Sequence, residues 1–203
     1  MKRYYVYLFL FIILVAGSWY YRSGRYGSNN NKPETYTPNI TGLPKVYESS
    51  KYGFKINLPN DFIVDENYIY ESTPQRAFSG VKFTIPVTKT EKTNLASDTY
   101  LSVEQIPNSV TCEAGAFLDS SEPKGLEEYN GHKYNSAYSI GAGAGNRYEE
   151  TVYATTYNGG CIAVRYFIHY GVIENYPEGS VTEFNKEDLL KLFDSIRKTL
   201  VLK

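Results

Sequence analysis

The fold class this sequence predicts is α+β: an antiparallel sheet flanked by helices, an α/β/α sandwich, preceded by an N-terminal transmembrane helix. Three observations lead there. Residues 45–203 contain several runs that alternate apolar and polar side chains with period two, as half-buried strands do. They close on one stretch whose apolar residues recur at helical spacing. Met1-Lys-Arg is followed at once by Tyr4 to Val15 without a single charge, the pattern that secretion machinery reads.

From Tyr4 to Tyr21 the chain offers about eighteen residues, against the roughly 20 that a bilayer core needs. Tyr4, Tyr5 and Tyr7 at one end, and Trp19, Tyr20 and Tyr21 at the other, suit the aromatic belts of the two interfaces. Residues 1–21 are therefore expected to remain as a signal anchor. Ala16-Gly17-Ser18 offers small residues where a signal peptidase could cut, so cleavage is the alternative. A buried core helix fits poorly, because the run has no amphipathic period. Lys2 and Arg3 favour an inside N-terminus, although Arg22 and Arg25 stand close behind on the other flank. No Cys follows the apolar run, so a lipid-modified N-terminus has no support. The expected location is the cell membrane, single-pass, with the domain on the extracytoplasmic side.

Residues 22–44 change to Gly, Ser, Asn, Thr and Pro, including Ser28-Asn-Asn-Asn31. Too little apolar surface is available there to offset chain entropy, so the stretch reads as a flexible tether. Fully extended it would reach roughly 80 Å. Asn39-Ile-Thr41 matches a glycosylation acceptor, a motif short enough to arise by chance unless the source is eukaryotic.

Residues 45–203 are one domain's length and long enough to bury a core. Tyr52-Gly-Phe-Lys-Ile-Asn-Leu58 alternates, placing Phe54, Ile56 and Leu58 on one face, and Pro59-Asn60-Asp61 then turns the chain. Phe62–Tyr70, Val81–Val87 and Thr99–Ile106 follow as strands rich in β-branched and aromatic residues. Thr111–Leu118 is expected as a short helix, ended by the breaker cluster Ser120-Ser-Glu-Pro-Lys-Gly125. His132–Ile140, Arg147–Tyr157 and Cys161–Tyr170 read as an antiparallel meander of three strands. Its first connection is the Gly-rich Gly141-Ala-Gly-Ala-Gly-Asn146, taken as a loose loop, and its second is the hairpin signal Asn158-Gly159-Gly160.

The last element is the clearest helix. Asn185 is placed to cap it, and Glu187 and Asp188 put negative charge in its first turn. Leu189, Leu192, Phe193, Ile196 and Leu200 share one apolar face, which should lie on the sheet, while Lys186, Lys191 and Arg197 stay wet.

Tyr52-Gly-Phe-Lys-Ile-Asn-Leu-Pro-Asn-Asp-Phe62 resembles the opening of the PsbP/Mog-type domain, and Leu192-Phe-Asp-Ser-Ile-Arg-Lys-Thr-Leu-Val-Leu202 resembles its terminal helix and short last strand. The two ends bracket nearly the whole globular part, while the middle carries no matching motif. The resemblance implies an α/β/α sandwich around an antiparallel sheet. It implies little chemistry, because members are mostly binding or assembly factors, many of the bacterial membrane-anchored ones without an assigned activity. Fold alone does not carry function.

Candidate chemistry is sparse. Cys112 and Cys161 read first as a disulfide in an exported chain, closing a loop of about fifty residues for roughly 4 kcal/mol. The rival reading makes one of them a nucleophile with His132 or His169 as its base. Two Cys and two His without close spacing do not resemble a zinc site, and no metal or cofactor is expected. His169 sits in an alternating run and reads as a sheet-face residue, while His132 follows the Asn130-Gly131 turn. The acidic pairs Glu127-Glu128 and Glu149-Glu150 should split to opposite faces of a strand, so neither supplies two facing carboxylates. Gly141–Asn146 is not a phosphate loop, since no Lys-Ser/Thr and no helix follow it.

The net charge of −1 argues against a nucleic-acid partner. The 21 tyrosines suit a half-wet sheet surface and rim more readily than a dedicated ligand platform. Two classes of function remain. One is a non-catalytic binding or assembly module, anchored at the membrane and facing a protein or an envelope polymer. The other is an envelope hydrolase using Cys-His or carboxylate chemistry. Converging His, Cys or Glu side chains in a pocket would favour the second.

Overall fold

The computed structural model describes residues 42–73 and 76–203; the expected anchor at 1–21 and nearly all of the linker at 22–44 lie outside them. Among the described residues the fold is a sheet-rich α+β arrangement with a single α-helix. Two sheets carry it. The smaller pairs β1 (Lys45–Ser49), β2 (Phe54–Leu58) and β11 (Val201–Leu202) in the order β1-β2-β11. The larger comprises β3 (Ile63–Asp65), β4 (Ile69–Thr73), β5 (Arg76–Thr84), β6 (Tyr100–Ile106), β7 (Glu122–Tyr129), β8 (His132–Gly143), β9 (Asn146–Tyr157) and β10 (Gly160–Gly171). Its order is β3-β5-β6-β10-β9-β8-β7, and β4 pairs with β5 beyond the point where β3 leaves it. Every pairing between these strands is antiparallel.

The expected meander is present as β8, β9 and β10, longer than the apolar pattern alone suggested. The expected loose connection at Gly141–Asn146 is instead mostly strand. Gly141 to Gly143 pair with Tyr148 to Asn146, and the turn shrinks to Ala144 and Gly145 at φ 48° and 80°. Asn158-Gly159 makes the same kind of turn at φ 49° and 73°. Positive φ at both central residues matches the right-handed twist of the strands, which is why Asn-Gly is favoured there.

The larger sheet has a distinct side chain set on each face. Its inner face presents Val81, Phe83, Leu101, Val103, Ile162, Val164 and Ile168, which form one core with Phe54, Ile56 and Leu58 of β2. The helix α1 (Lys186–Arg197) joins that core through Leu189, Phe193 and Ile196. Asn185 caps it as expected, its side chain accepting from the Asp188 amide at 3.1 Å. Phe193 is fully buried, with its ring 5.3 Å from Tyr166, and contributes about 1.5–3 kcal/mol by that burial. The outer face carries a second apolar cluster of Phe78, Ala137, Val152, Ala154 and Ala163. Cys161 belongs to it and is bonded to Cys112 with 5.1 Å between their Cα atoms.

Several expectations need correction. The short helix foreseen at Thr111–Leu118 is a 3-10 turn at Ala114–Phe117, since so short a segment lacks the length to sustain an α-helix. The breaker cluster at Ser120–Gly125 holds the start of strand β7. Pro123 is tolerated because β7 is an edge strand, and a bulge between Pro123 and Gly125 absorbs the irregularity. The run Phe62–Tyr70 splits into β3 and β4 around residues 66–68. Arg197, expected wet, is 1% exposed.

Candidate functional site

The residues singled out for chemistry do not converge. The disulfide leaves neither Cys112 nor Cys161 as a thiol nucleophile. His132 and His169 point from opposite faces of the larger sheet, since His132 shares the side of Tyr134 while His169 shares that of Arg165. The His169 Nδ1 faces Asp98 at 2.7 Å, and its Nε2 faces the Asn146 amide oxygen at 3.1 Å rather than a hydroxyl nucleophile. Its ring stacks on Tyr148 with centroids 4.4 Å apart. Among the described residues no group of His, Cys, Asp or Glu is arranged to hold a metal ion. Both acidic pairs split as strand alternation requires. Glu149 faces inward to Lys186 and the Tyr170 hydroxyl, and Glu150 faces outward to Arg165.

The polar cluster that sequence reasoning missed lies on the outer face. Arg165 on β10 is fully buried and donates through Nε and Nη2 to Glu104 of β6 at 2.7 and 2.9 Å. Its Nη1 bonds Glu150 of β9, and Nη2 also donates to the Phe117 carbonyl at 2.6 Å. The Tyr70 ring lies 3.7 Å from the guanidinium carbon, a cation–π contact out of water. Ser102 donates to Glu104 at 2.7 Å, and Tyr68 and Tyr100 share a hydrogen bond at 2.8 Å beside it. Burial raises the Glu150 carboxyl above the ordinary glutamate range, although the Arg165 charge pulls it down. Burial likewise pushes the Tyr70 hydroxyl up to about 12. No sequence spacing could have indicated this cluster, because its members stand on β4, β6, β9, β10 and the Ala114–Phe117 turn, which meet only in the fold.

The inner face has a second buried arginine. Arg197 at the end of α1 rests on the Tyr153 ring at 3.7 Å and donates through Nε to the Tyr166 hydroxyl at 2.7 Å. Its Nη2 reaches Glu127 at 3.0 Å and Asp194 at 3.1 Å, both partly exposed. Among the described residues, Nη1 and the hydroxyls of Tyr129 and Tyr134 have no hydrogen-bond partner. Burial opposes the Arg197 charge, but the surrounding tyrosines and Glu127 hold its pKa above the usual arginine value. Among the described tyrosines, Tyr52, Tyr68, Tyr100, Tyr129, Tyr134, Tyr153 and Tyr166 are buried in the interior, and the others lie at the partly wet surface expected of them.

An apolar opening stands beside exposed large side chains on the inner face. A groove of about 310 Å³ runs between α1 and strands β8, β9 and β10. Its floor is Tyr166, Ile168 and Leu190, and its wall on β8 is Tyr138 and Ile140, which are 37% and 65% exposed. Lys186 and Glu149 form an ion pair at one rim, and Lys124 stands at the other. Lys124 is the residue that the β7 bulge leaves without a strand partner, and its ammonium donates to the Tyr153 hydroxyl at 3.4 Å. Bulges often re-aim a side chain in this way.

No family model matches the chain, and neither does any curated protein. Among solved structures it is similar to cyanobacterial PsbP (CyanoP) from Synechocystis, at 15% identity and a TM-score of 0.43, covering 84% of this chain and 99% of that one. It is also similar to the Saccharomyces cerevisiae Ran-binding protein Mog1p, at 8% identity and a TM-score of 0.47 over 78% of this chain and 94% of the other. A Bacteroides thetaiotaomicron structure shares 14% identity over 78% of this chain with a TM-score of 0.41, and the chain spans 48% of its length. PsbP and Mog1p carry the type of domain that the two ends of the sequence resemble.

Proposed function

We propose that this chain is a membrane-anchored, extracytoplasmic, non-catalytic binding module, in which residues 1–21 form the transmembrane anchor and the domain docks a partner at the groove beside α1. In its finer architecture, α1 and the Ala114–Phe117 turn serve as the two outer layers of an α/β/α sandwich. The groove is the observation that carries the binding part. It combines an apolar floor, exposed Tyr138 and Ile140, and a few rim charges, the usual make-up of a recognition site. It holds no His, no Cys and no facing pair of free carboxylates. The location is supported by the basic tip, the apolar run and the Cys112–Cys161 bond, since disulfides persist in oxidising compartments.

Protease shaving of intact cells tests the location. Digestion should remove the domain from the cell surface, with its residues 45–203 recovered as released peptides. Survival on intact cells followed by digestion after lysis would reverse the orientation.

A further inference from the structure

From the rim of the groove we infer the class of its occupant: an extended segment of a partner protein that carries apolar side chains and a carboxylate. This inference rests on the groove being the docking site. Three features point to that chemistry. The first is charge. At the rim the Lys186 ammonium is matched by Glu149, whereas Lys124 pairs with no carboxylate among the described residues and has only the Tyr153 hydroxyl and ring beside it. Glu150, the next residue on β9, cannot compensate it, because it is turned to the other face and bonded to Arg165. The groove therefore keeps one uncompensated positive charge over an apolar floor, and an incoming carboxylate on Lys124 would complete the pattern that Glu149 completes on Lys186.

The second feature is how Lys124 comes to be there. A regular β7 would alternate Pro123, Lys124 and Gly125 across the two faces in register with β8. The bulge removes Lys124 from that register and directs it over Tyr153 on the inner face. The third is shape. The groove is half open to solvent, with Ile140 mostly exposed on its wall. An acyl chain would leave one side in water there, while a peptide can send apolar side chains to the floor and keep its backbone solvated.

The test uses the full chain, isotope-labelled and reconstituted in phosphatidylcholine nanodiscs, with backbone amide shifts as the readout. The probes are a peptide pool in which two apolar residues alternate with two Asp, and a matched pool with Lys replacing Asp. The acidic pool should shift residues 138–140 and 186–190. Its affinity should fall about tenfold in Lys124→Glu, recover in Lys124→Arg, and weaken as salt rises. Ile140→Gln, an exposed change that spares the fold, should weaken it too. If the Lys pool shifts these residues and the acidic pool does not, the groove remains a docking site and the acidic class is wrong. If neither pool shifts them, both the class and the docking site fall. Shifts produced by phosphatidylglycerol nanodiscs alone, or by raising the protein concentration, would assign the groove to lipid or to a second copy and overturn the inference.

Discussion

Arg165 and Arg197 are buried on opposite faces of one sheet, each with a tyrosine ring 3.7 Å from its guanidinium, yet they are satisfied in different ways. Every nitrogen of Arg165 has an acceptor, and its carboxylate Glu104 is fully buried with it. Arg197 finds no partner for Nη1 among the described residues and shares Nη2 between two carboxylates that reach the surface. The outer cluster is a closed network in which each charge needs the others, because a lone buried ion is costly. The inner one relies on aromatic faces and tolerates an unmet donor, a cost of about 1–3 kcal/mol that the cation–π contacts partly offset. Burial of an arginine therefore says little until its partners' own access to water is known.

The sharpest way to break this comparison is to remove the cations. Arg165→Met should destabilise the domain by about 3–5 kcal/mol in chemical denaturation, because Glu104 is left charged and buried. Replacing Glu104 as well, with Leu, should recover much of that loss, and an additive result would contradict the closed network. Arg197→Met should cost less, about 1–3 kcal/mol, since Glu127 and Asp194 can turn to water. Equal losses at the two positions would erase the distinction.

Glu150→Gln sharpens the comparison through pH. The folded-state pKa of Glu150 is raised, so its contribution to stability is present below the ordinary glutamate pKa of about 4.3 and is lost as pH rises through the folded value. The stability of the Gln variant relative to the natural chain should therefore increase across that window. A relative stability that fell with rising pH would show that the Arg165 pair outweighs desolvation. The smallest effect is expected at the hydroxyls. Tyr134→Phe should leave the domain as stable or more stable, because its buried hydroxyl has no hydrogen-bond partner to lose, whereas Tyr166→Phe should cost about 1 kcal/mol by removing the acceptor of Arg197.

Features governed by near neighbours were legible in the order of residues. Asn158-Gly159 specified a tight turn because both residues tolerate positive φ, and the alternating runs on either side specified the meander. Asn185 and the spacing of Leu189, Phe193 and Ile196 specified the capped amphipathic helix. The pairing of Cys112 with Cys161 followed from the chain holding two cysteines and no others. The remaining features arise where distant segments meet in the fold. Pro123-Lys124-Gly125 reads locally as a break, and becomes strand because β8 offers a partner with room for a bulge. Arg197 reads as a wet end of a helix, and is buried because four tyrosines from four different strands meet above it. Arg165, Glu104 and Glu150 carry no local signal at all, since a buried ion network depends on strands being adjacent in space. The groove, with its unmatched Lys124, has the same origin: helix, sheet and bulge contribute one wall each, and none of them contains the site alone.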